Sequence, residues 1–331
     1  MARWGRVAVV TAVVIVVAAG AALAWGQVAR YRLASAHPPA GTLVDVGGRA
    51  AHLNCAGDGS PTVILEAGNG DFSIFWSKVQ PEVATFTRVC SYDRAGLGWS
   101  EPTAADRTVA NMADELAALL AAGAVEPPYV IAAHSFGGIL ARVFADANPG
   151  AVRGVVLVDS SHPEQMERVP FLSAALASMV AEFRGLVGMT SLGVLAVVPD
   201  QIPTGHLTAS DGDAYRAILA TTGYFEAAAR ETEALGSNMP AAEGMTLGAM
   251  PLVVLSRGRP DGLPPDTSAA DSAAFEATWA EMQSELVTIS TDSGQIVADK
   301  SGHYIQIDQP ELVIGAIRDV VERIRSASAG N

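Results

Sequence analysis

The sequence predicts an α/β fold, a doubly wound domain whose strands are covered by helices on both faces. Strand-length apolar runs alternate with helical patterns along the chain. The later runs are apolar at successive positions, which is typical of parallel strands that are buried on both sides. The predicted strands are 50–54, 62–66, 87–92, 128–133, 154–158, 251–256 and 286–290. This alternation indicates a mostly parallel sheet.

Helical patterns fill the intervals between these strands. Residues 106–122 carry an apolar stripe with a period of 3.6, and the last helix, 310–325, begins with Pro-Glu, as first helical turns often do. The interval 163–246 is different, because it contains helical patterns at 171–184 and 213–235 and no convincing strand. It is too long for an ordinary crossover, so we expect a helical insertion over the sheet.

Composition excludes several classes of protein. The chain has 331 residues, half of them apolar, and its 21 basic and 35 acidic residues give a net charge of −14. Such a chain is too apolar for a disordered protein and too acidic for a nucleic-acid binder. Two cysteines cannot form a four-thiolate zinc site. The Gly-Asn-Gly at 68–70 lacks the Lys-Ser/Thr of a phosphate-binding loop, and we expect no metal and no cofactor.

The first segment is the most apolar part of the sequence. Residues 7–26 contain one conventional polar residue, Thr11, and are long enough to cross a bilayer core of about 30 Å. Arg3 and Arg6 precede the run and favour a cytoplasmic N-terminus. We favour an uncleaved membrane anchor; the alternative is a signal peptide cleaved after 22–24, Ala-Leu-Ala. Either reading exports the remaining chain, and its residues 37–331 carry 17 basic and 35 acidic residues, a net charge of −18.

A candidate nucleophile follows the predicted strand 128–133. The chain continues into His-Ser-Phe-Gly-Gly at 134–138 and then into an apolar helix. A strand–turn–helix of this kind lifts the hydroxyl of Ser135 above the strand end and needs small residues on both sides. The first N–H groups of the helix face the same point, where they can stabilise an oxyanion.

Serine is a poor nucleophile at neutral pH and needs a base, which in turn needs an orienting carboxylate. Of the six histidines, His303 is the best candidate, because its Gly-containing loop follows a predicted strand; His162 is the next. Asp261 follows the strand 251–256, and Asp159 follows the strand 154–158 in an equivalent local context. We favour Asp261 as the acid and keep Asp159 as the alternative.

Four segments, in this order, resemble the α/β-hydrolase fold family, and its serine esterase and lipase members in particular. They are LEAGNG at 65–70, similar to the loop after strand three; VCSYDRAGLGWS at 89–100; the nucleophile elbow at 134–138; and the histidine loop at 301–303. The order Ser135, Asp261, His303 is the triad order of the family. In two respects the chain departs from the family pattern: the elbow starts with Ala133 rather than Gly, and Glu-Ala-Gly at 66–68 stands where His-Gly is usual.

The resemblance implies an eight-stranded, mostly parallel sheet with the strand order 1-2-4-3-5-6-7-8 and a helical cap. The chain then divides into an export segment with linker (1–36), a first core part (37–162), the cap (163–246) and a second core part (247–331). The implied oxyanion hole consists of the main-chain N–H groups of Phe136 and Asn69.

The same strand order places the strands of Cys55 and Cys90, the two cysteines of the chain, side by side. Export permits a disulfide between them, which is the pairing we favour. The alternative is two buried reduced thiols.

The predicted function is that of an exported serine hydrolase of carboxylic esters. Ser135 would attack the acyl carbonyl, His303 would act as base and then acid, and Asp261 would orient His303. An amidase or peptidase, a thioesterase or an acyltransferase with the same triad is the alternative, and a non-catalytic binding protein is a third. The expected partners are a small-molecule ester and, through residues 7–26, a membrane; the sequence does not indicate an oligomeric state.

Overall fold

Eight strands form one sheet in the computed structural model, which describes residues 2–205, 207–221, 223–261, 263 and 267–329. The strands are β1 (Thr42–Asp45), β2 (Ala50–Ala56), β3 (Thr62–Glu66), β4 (Val89–Tyr92), β5 (Tyr129–His134), β6 (Val152–Val158), β7 (Leu252–Arg257) and β8 (Ser293–Ala298). Their order is β1-β2-β4-β3-β5-β6-β7-β8. The pairs β1–β2 and β2–β4 are antiparallel, and the other neighbouring pairs are parallel. The predicted eight-stranded, mostly parallel sheet is confirmed.

Helices flank the sheet and extend beyond it. They are α1 (Ala2–Ala36), α2 (Gln80–Val83), α3 (Val109–Ala122), α4 (Gly137–Ala147), α5 (Gln165–Arg168), α6 (Phe171–Ser191), α7 (Val194–Val197), α8 (Ala209–Thr221), α9 (Tyr224–Asn238), α10 (Ala269–Val287), α11 (Ile305–Asp308) and α12 (Pro310–Ala329). Short 3₁₀ turns lie at Ser73–Trp76, Pro199–Gln201 and Met239–Ala242.

The sheet has an apolar core on each face. On one face the stripe of α3, with Met112 and Leu116, and the helix α4, with Phe144, pack on the strands. On the other face α12 contributes Ile317 and Val320. Strands β3, β5 and β7 are buried at every position, which is why their sequences are apolar runs rather than alternating patterns.

One predicted strand is wrong. Leu286 and Val287 belong to the end of α10, and the last strand, β8, begins only at Ser293. Leu286 is apolar because it completes the buried stripe of α10 that includes Trp279 and Met282, not because it lies in the sheet. A short apolar run cannot be separated from the end of a buried helix by periodicity alone.

Between β6 and β7 the described residues form helices α5 to α9 and two 3₁₀ turns, and no strand. The predicted helix 213–235 corresponds to two helices, α8, which ends at Thr221, and α9, which begins at Tyr224. We call residues 163–246 the cap.

Cys55 and Cys90 lie directly opposite each other on β2 and β4 and form a disulfide, as predicted. The bond closes a loop of 35 residues. Closure of such a loop stabilises the fold by about 3 kcal/mol, because it removes conformations from the unfolded chain.

Candidate active site

Ser135 lies in the sharp turn between β5 and α4 and has a positive φ of 53°. Residues other than glycine seldom adopt this backbone conformation. The turn leaves no room for larger residues. A Cβ atom at Gly137 would lie 2.7 Å from the carbonyl oxygen of Ala67, and one at Gly138 would lie 1.8 Å from Oγ of Ser160. The two glycines are therefore needed for the turn to pack against the ends of β3 and β6.

His303 is held by three polar contacts on its loop before α11. Its Nδ1 lies 2.6 Å from Oδ2 of Asp159, and its main-chain N–H donates to Oδ2 of Asp261 at 2.9 Å. Its carbonyl oxygen is 3.0 Å from Nε2 of His134. These contacts fix both the main chain and the tautomer of His303, because Nδ1–H donates to the carboxylate and leaves Nε2 as the free acceptor.

The carboxylate at the imidazole is thus Asp159 and not Asp261, which corrects the expectation from the sequence. Strand β6 lies next to β5, the strand that leads into Ser135, so the residue after β6 reaches the imidazole directly. Asp261 comes from the next strand and lies under the backbone of the histidine loop. A Cβ atom at Gly302 would lie 2.3 Å from Oδ2 of Asp261.

Asp159 is completely buried and has partners for both oxygens. Oδ1 accepts from Nε1 of Trp279 at 2.9 Å and from the main-chain N–H of Arg257 at 3.0 Å. The Arg257 guanidinium donates to Oδ2 at 3.0 Å. Burial alone would raise the pKa of Asp159, but the hydrogen bond and charge of His303, with the charge of Arg257, outweigh it and hold that pKa well below its usual range.

The histidine ring lies beside the elbow. The rings of His303 and His134 are 4.6 Å apart between centroids, and the His303 side chain is 24% exposed. Within the part of the chain that the structure describes, no hydrogen bond of 3.5 Å or less joins Ser135 Oγ to His303. The loop of His303 and the turn of Ser135 thus lie at the same edge of the sheet, and the imidazole and the hydroxyl are not hydrogen-bonded in the described residues. His134 itself is buried, which lowers its pKa and favours the neutral ring.

The loop after β3, residues 67–71, which we call the β3 loop, lies against the elbow. Neither the main-chain N–H of Asn69 nor that of Phe136 donates to another atom of the described residues. The neighbouring N–H, of Gly70, donates to Oε1 of Glu231 at 2.9 Å, and Nδ2 of Asn69 donates to Oγ1 of Thr232 at 2.9 Å. Both partners are on α9, so the cap helps to hold this loop.

A buried arginine connects the β3 loop to the core and the cap. Arg94 forms ion pairs with Glu66 at 2.6 Å and with Glu231 at 2.7 Å. It also donates to the carbonyl oxygens of Ala67, at 2.8 Å, and of Gly68. All three charged side chains are buried.

The two carboxylates of this cluster differ in charge state. Burial raises the pKa of Glu66 to about 7, against the opposing effect of Arg94 and of the hydrogen bond from Tyr92. Burial also disfavours the charged form of Glu231, but Arg94 and the N–H of Gly70 outweigh it and lower its pKa. Arg94 is therefore balanced mainly by Glu231, whereas burial favours the protonated form of Glu66.

The second candidate base, His162, points elsewhere. Its Nε2 lies 3.3 Å from Glu285 on α10, and burial lowers its pKa. His162, Glu164 and Glu285 offer ligand atoms within 4.8 Å of one another, side-chain types that can bind a metal. Arg168 already pairs with Glu285 at 2.7 Å, so that carboxylate has a cationic partner.

Buried aromatic side chains lie near Asp71 at the end of the β3 loop: Phe72 stacks on Tyr215 and contacts Tyr224. Burial and the charge of Asp71 raise the pKa of Tyr215 to about 12, so its hydroxyl stays protonated and can donate. In the cap, a pocket of about 370 Å³ lies between α6 and α9, lined by Met166, Ser173, Leu176, Ala177, Val180, Thr232, Glu233 and Gly236.

Several residues of the site were missed in the sequence. Arg94 lies in the segment 89–100 that carries the family resemblance, but nothing there assigned it a role. Arg257 ends a strand that is otherwise apolar or small, and an arginine in that position requires a buried partner, which was a usable signal. Glu231 gave no signal, because it is one of several acidic residues along α9.

Known proteins resemble this chain over most of its length. The model of the alpha/beta hydrolase family matches residues 63–316. The uncharacterised protein YqjL of Bacillus subtilis is 26% identical over 264 residues, 80% of this chain and 85% of that protein. An AB hydrolase superfamily protein of Gibberella zeae is 26% identical over 285 residues, 80% of this chain and 87% of that protein.

A solved structure agrees with these matches. The thermophilic esterase of Thermogutta terrifontis superposes with a TM-score of 0.61 at 20% identity, covering 86% of this chain and 97% of that one. The family match covers more than half of the residues and includes the elbow and the histidine loop. The protein belongs to the alpha/beta hydrolase family and is a hydrolase.

Proposed function

We propose that the protein is an exported serine hydrolase that cleaves carboxylic esters through an acyl-enzyme on Ser135. His303 acts as general base and then general acid, and Asp159 is the orienting acid. The observation that carries the proposal is the 2.6 Å contact between Asp159 and Nδ1 of His303, on a loop that packs on the strained serine elbow.

The first half of the reaction forms the acyl-enzyme. Nε2 of His303 takes the proton of Ser135 as Oγ attacks the carbonyl carbon, and it then delivers that proton to the leaving alcohol oxygen. Asp159 stays ionised throughout and stabilises the imidazolium. Catalytic hydrogen bonds are often long before substrate binds, so we expect the Ser135–His303 bond to tighten in the complex.

The second half is hydrolysis of the acyl-enzyme. Water attacks the acyl carbon while His303 takes its proton, and Ser135 leaves with that proton restored. In both halves the carbonyl oxygen becomes an oxyanion. The main-chain N–H groups of Asn69 and Phe136, which have no partner among the described residues, would stabilise it.

Export is part of the proposal. Residues 6–36 of α1 form a helix long and apolar enough to cross a membrane, and its side chains from Val7 to Val17 are largely exposed. The disulfide between Cys55 and Cys90 is the kind of bond that persists outside the cytoplasm. We favour an uncleaved anchor that leaves the hydrolase domain on the outer side; cleavage of α1 would instead release a secreted enzyme.

The proposal is tested with the variant Ser135→Ala. The matched control is a separate variant, Ser284→Ala, which changes an exposed serine on α10. Ser135→Ala should lower the turnover of short-chain aryl esters by at least about 10³-fold and abolish labelling by a fluorophosphonate, with an unchanged thermal unfolding curve. Ser284→Ala should match the wild type. Undiminished turnover by Ser135→Ala would refute the proposal.

A panel of matched ester, thioester and amide substrates separates the reaction classes that share this triad. We expect the ester to be turned over fastest, and a hydroxyl acceptor added to the assay should not increase acyl transfer over hydrolysis. Labelling of Ser135 without turnover of any substrate would indicate a binding protein.

A further inference from the structure

The helix α1 does not end where an apolar span of bilayer length ends. Residues 7–26 cover about 30 Å, the thickness of a bilayer core, and the helix then continues without a break to Ala36. The continuation packs on the cap, with Ala29 and Leu33 in its apolar cluster. The orientation of the cap relative to the span is therefore set by a continuous helix rather than by a linker.

The contact between α1 and the cap begins at the end of the span. A Cβ atom at Gly26 would lie 2.6 Å from the carbonyl oxygen of Leu192, and one at Gly193 would lie 2.5 Å from the carbonyl carbon of Gly26. The two backbones therefore touch, which only glycines allow. Arg30 then donates to the carbonyl oxygen of Thr221 at 2.8 Å, and Gln27 donates to that of Ser191 at 3.1 Å.

The cap surface next to this contact is apolar and exposed. Leu192 is 52% exposed and Val197 is 46% exposed, although both are large apolar side chains. With them lie Met189, Val194 and Val198, and on α1 Trp25 and Val28. We call these seven residues the cap patch. A groove of about 450 Å³ between α1 and α7 continues it, lined by Trp25, Val28, Ala29, Arg32, Leu33, Ala36, Ala196 and Val197.

We propose that the cap patch lies in the interfacial region of the same bilayer that α1 crosses. Because Gly26 is both the last residue of the span and the residue that touches Leu192 and Gly193, those cap residues sit at the depth where the hydrocarbon core ends. Trp25 and Tyr31, which are exposed, are the aromatic types that gather at this depth. An apolar patch at that level is covered by lipid acyl chains and not by water.

This placement also bears on the substrate, and that consequence rests on the proposed function. A cap that touches the bilayer gives the hydrolase direct access to esters dissolved in the membrane. The substrate class is therefore amphiphilic or lipid-like esters, taken up from the outer leaflet. The location of the patch itself does not depend on the reaction, so it can be tested without turnover.

The test uses the full chain in phospholipid vesicles that contain a doxyl-labelled lipid. Val197→Cys in the patch and Val297→Cys on the edge strand β8, where the valine is 59% exposed, each carry an NBD fluorophore. The native cysteines are paired and do not react. We expect several-fold quenching and blue-shifted emission at position 197, and unquenched, water-like emission at position 297.

Three results would overturn the proposal. Water-like emission at position 197 in protein that floats with the vesicles means that the patch faces solvent. Blue-shifted emission without lipid quenching means that a second copy covers it. Protein that does not float with the vesicles means that α1 does not anchor the chain in a bilayer, so the cap patch cannot lie in one.

The consequence for substrate is tested separately with the variant Leu192→Ser/Val194→Ser/Val197→Ser/Val198→Ser. It should lose about tenfold in hydrolysis of a vesicle-embedded ester and keep wild-type turnover of a water-soluble ester. Loss of both activities, or of neither, contradicts access from the membrane. If no ester is turned over even by the wild type, the proposed function fails while the fluorescence result stands.

Discussion

The two halves of the candidate site, the histidine loop and the β3 loop, are held by different parts of the molecule. His303 is fixed by Asp159, Asp261 and His134, which all follow or end strands of the core. The β3 loop depends on the cap as well, since Glu231 on α9 accepts from Gly70 and pairs with Arg94. The residues that fix His303 thus all come from the core, whereas the half that would hold an oxyanion also depends on the position of the cap.

The largest expected effect on kcat comes from replacing Asp159, the carboxylate that contacts the His303 imidazole. Asp159→Asn should lower kcat by about 10⁴-fold, because Nδ1 loses the carboxylate that fixes its tautomer and stabilises the imidazolium. Asp261→Asn is the matched variant. It keeps an acceptor for the main-chain N–H of His303 and should cost about tenfold or less. Steady-state kinetics on a short-chain ester measures both.

Folding of Asp159→Asn needs its own control, because the variant leaves Arg257 buried with Glu276 as its remaining ionic partner. Near-UV circular dichroism separates an inactive but folded variant from an unfolded one. If folded Asp261→Asn proves the more damaged of the two, the assignment of roles in this half is reversed.

This pair of aspartates also shows what the sequence could and could not predict. Ser135 and His303 could be predicted as site residues because each lies in a local pattern, a strand–turn–helix and a Gly-containing loop before the last helix. Asp159 and Asp261 each follow a buried parallel strand, so the local sequence is equivalent. The choice between them depends on which strand lies beside β5, which leads into Ser135, and on how each loop turns, and both are tertiary properties.

The β3 loop was less predictable still. Arg94 and Glu231 are 137 residues apart, and no local pattern joins a loop of the core to the middle of a cap helix. The fold was recovered more completely because alternating buried strands and helices determine it repeatedly along the chain. Its one wrong strand, 286–290, lay where a helix end and a strand give the same short apolar run.

The next largest expected effect concerns Glu66, which pairs with Arg94 beneath the β3 loop. It is an effect on the free energy of unfolding and its dependence on pH. Burial raises the pKa of Glu66 in the folded state to about 7, above its value in the unfolded chain. The resulting stability is fully present at low pH and is lost as the pH rises from about 4.5 through 7. The loss over that whole range is roughly 3–4 kcal/mol. Glu66→Gln cannot ionise, so it should not show this decline.

The measurement is the free energy of unfolding by urea for both proteins between pH 5 and pH 8.5. Other titrating groups are common to the two chains, so their difference reports Glu66. The variant should gain stability relative to the wild type as the pH rises. A difference that is constant with pH, or that changes in the opposite direction, would show that Glu66 is already ionised in the folded protein.

The smallest expected effect tests directly whether the cap positions the β3 loop. Glu231→Gln removes the charge that balances Arg94 and weakens the bond from the N–H of Gly70, but it leaves the N–H of Asn69 in place. Loss of a whole oxyanion donor costs about 10²–10³ in kcat, so loosening one should cost about tenfold, with KM little changed. Glu226→Gln, at an exposed glutamate on the same helix α9, is the control and should match the wild type. A loss confined to KM would mean that Glu231 shapes the substrate pocket, whereas equal activity of both variants would mean that the core alone holds both halves of the site.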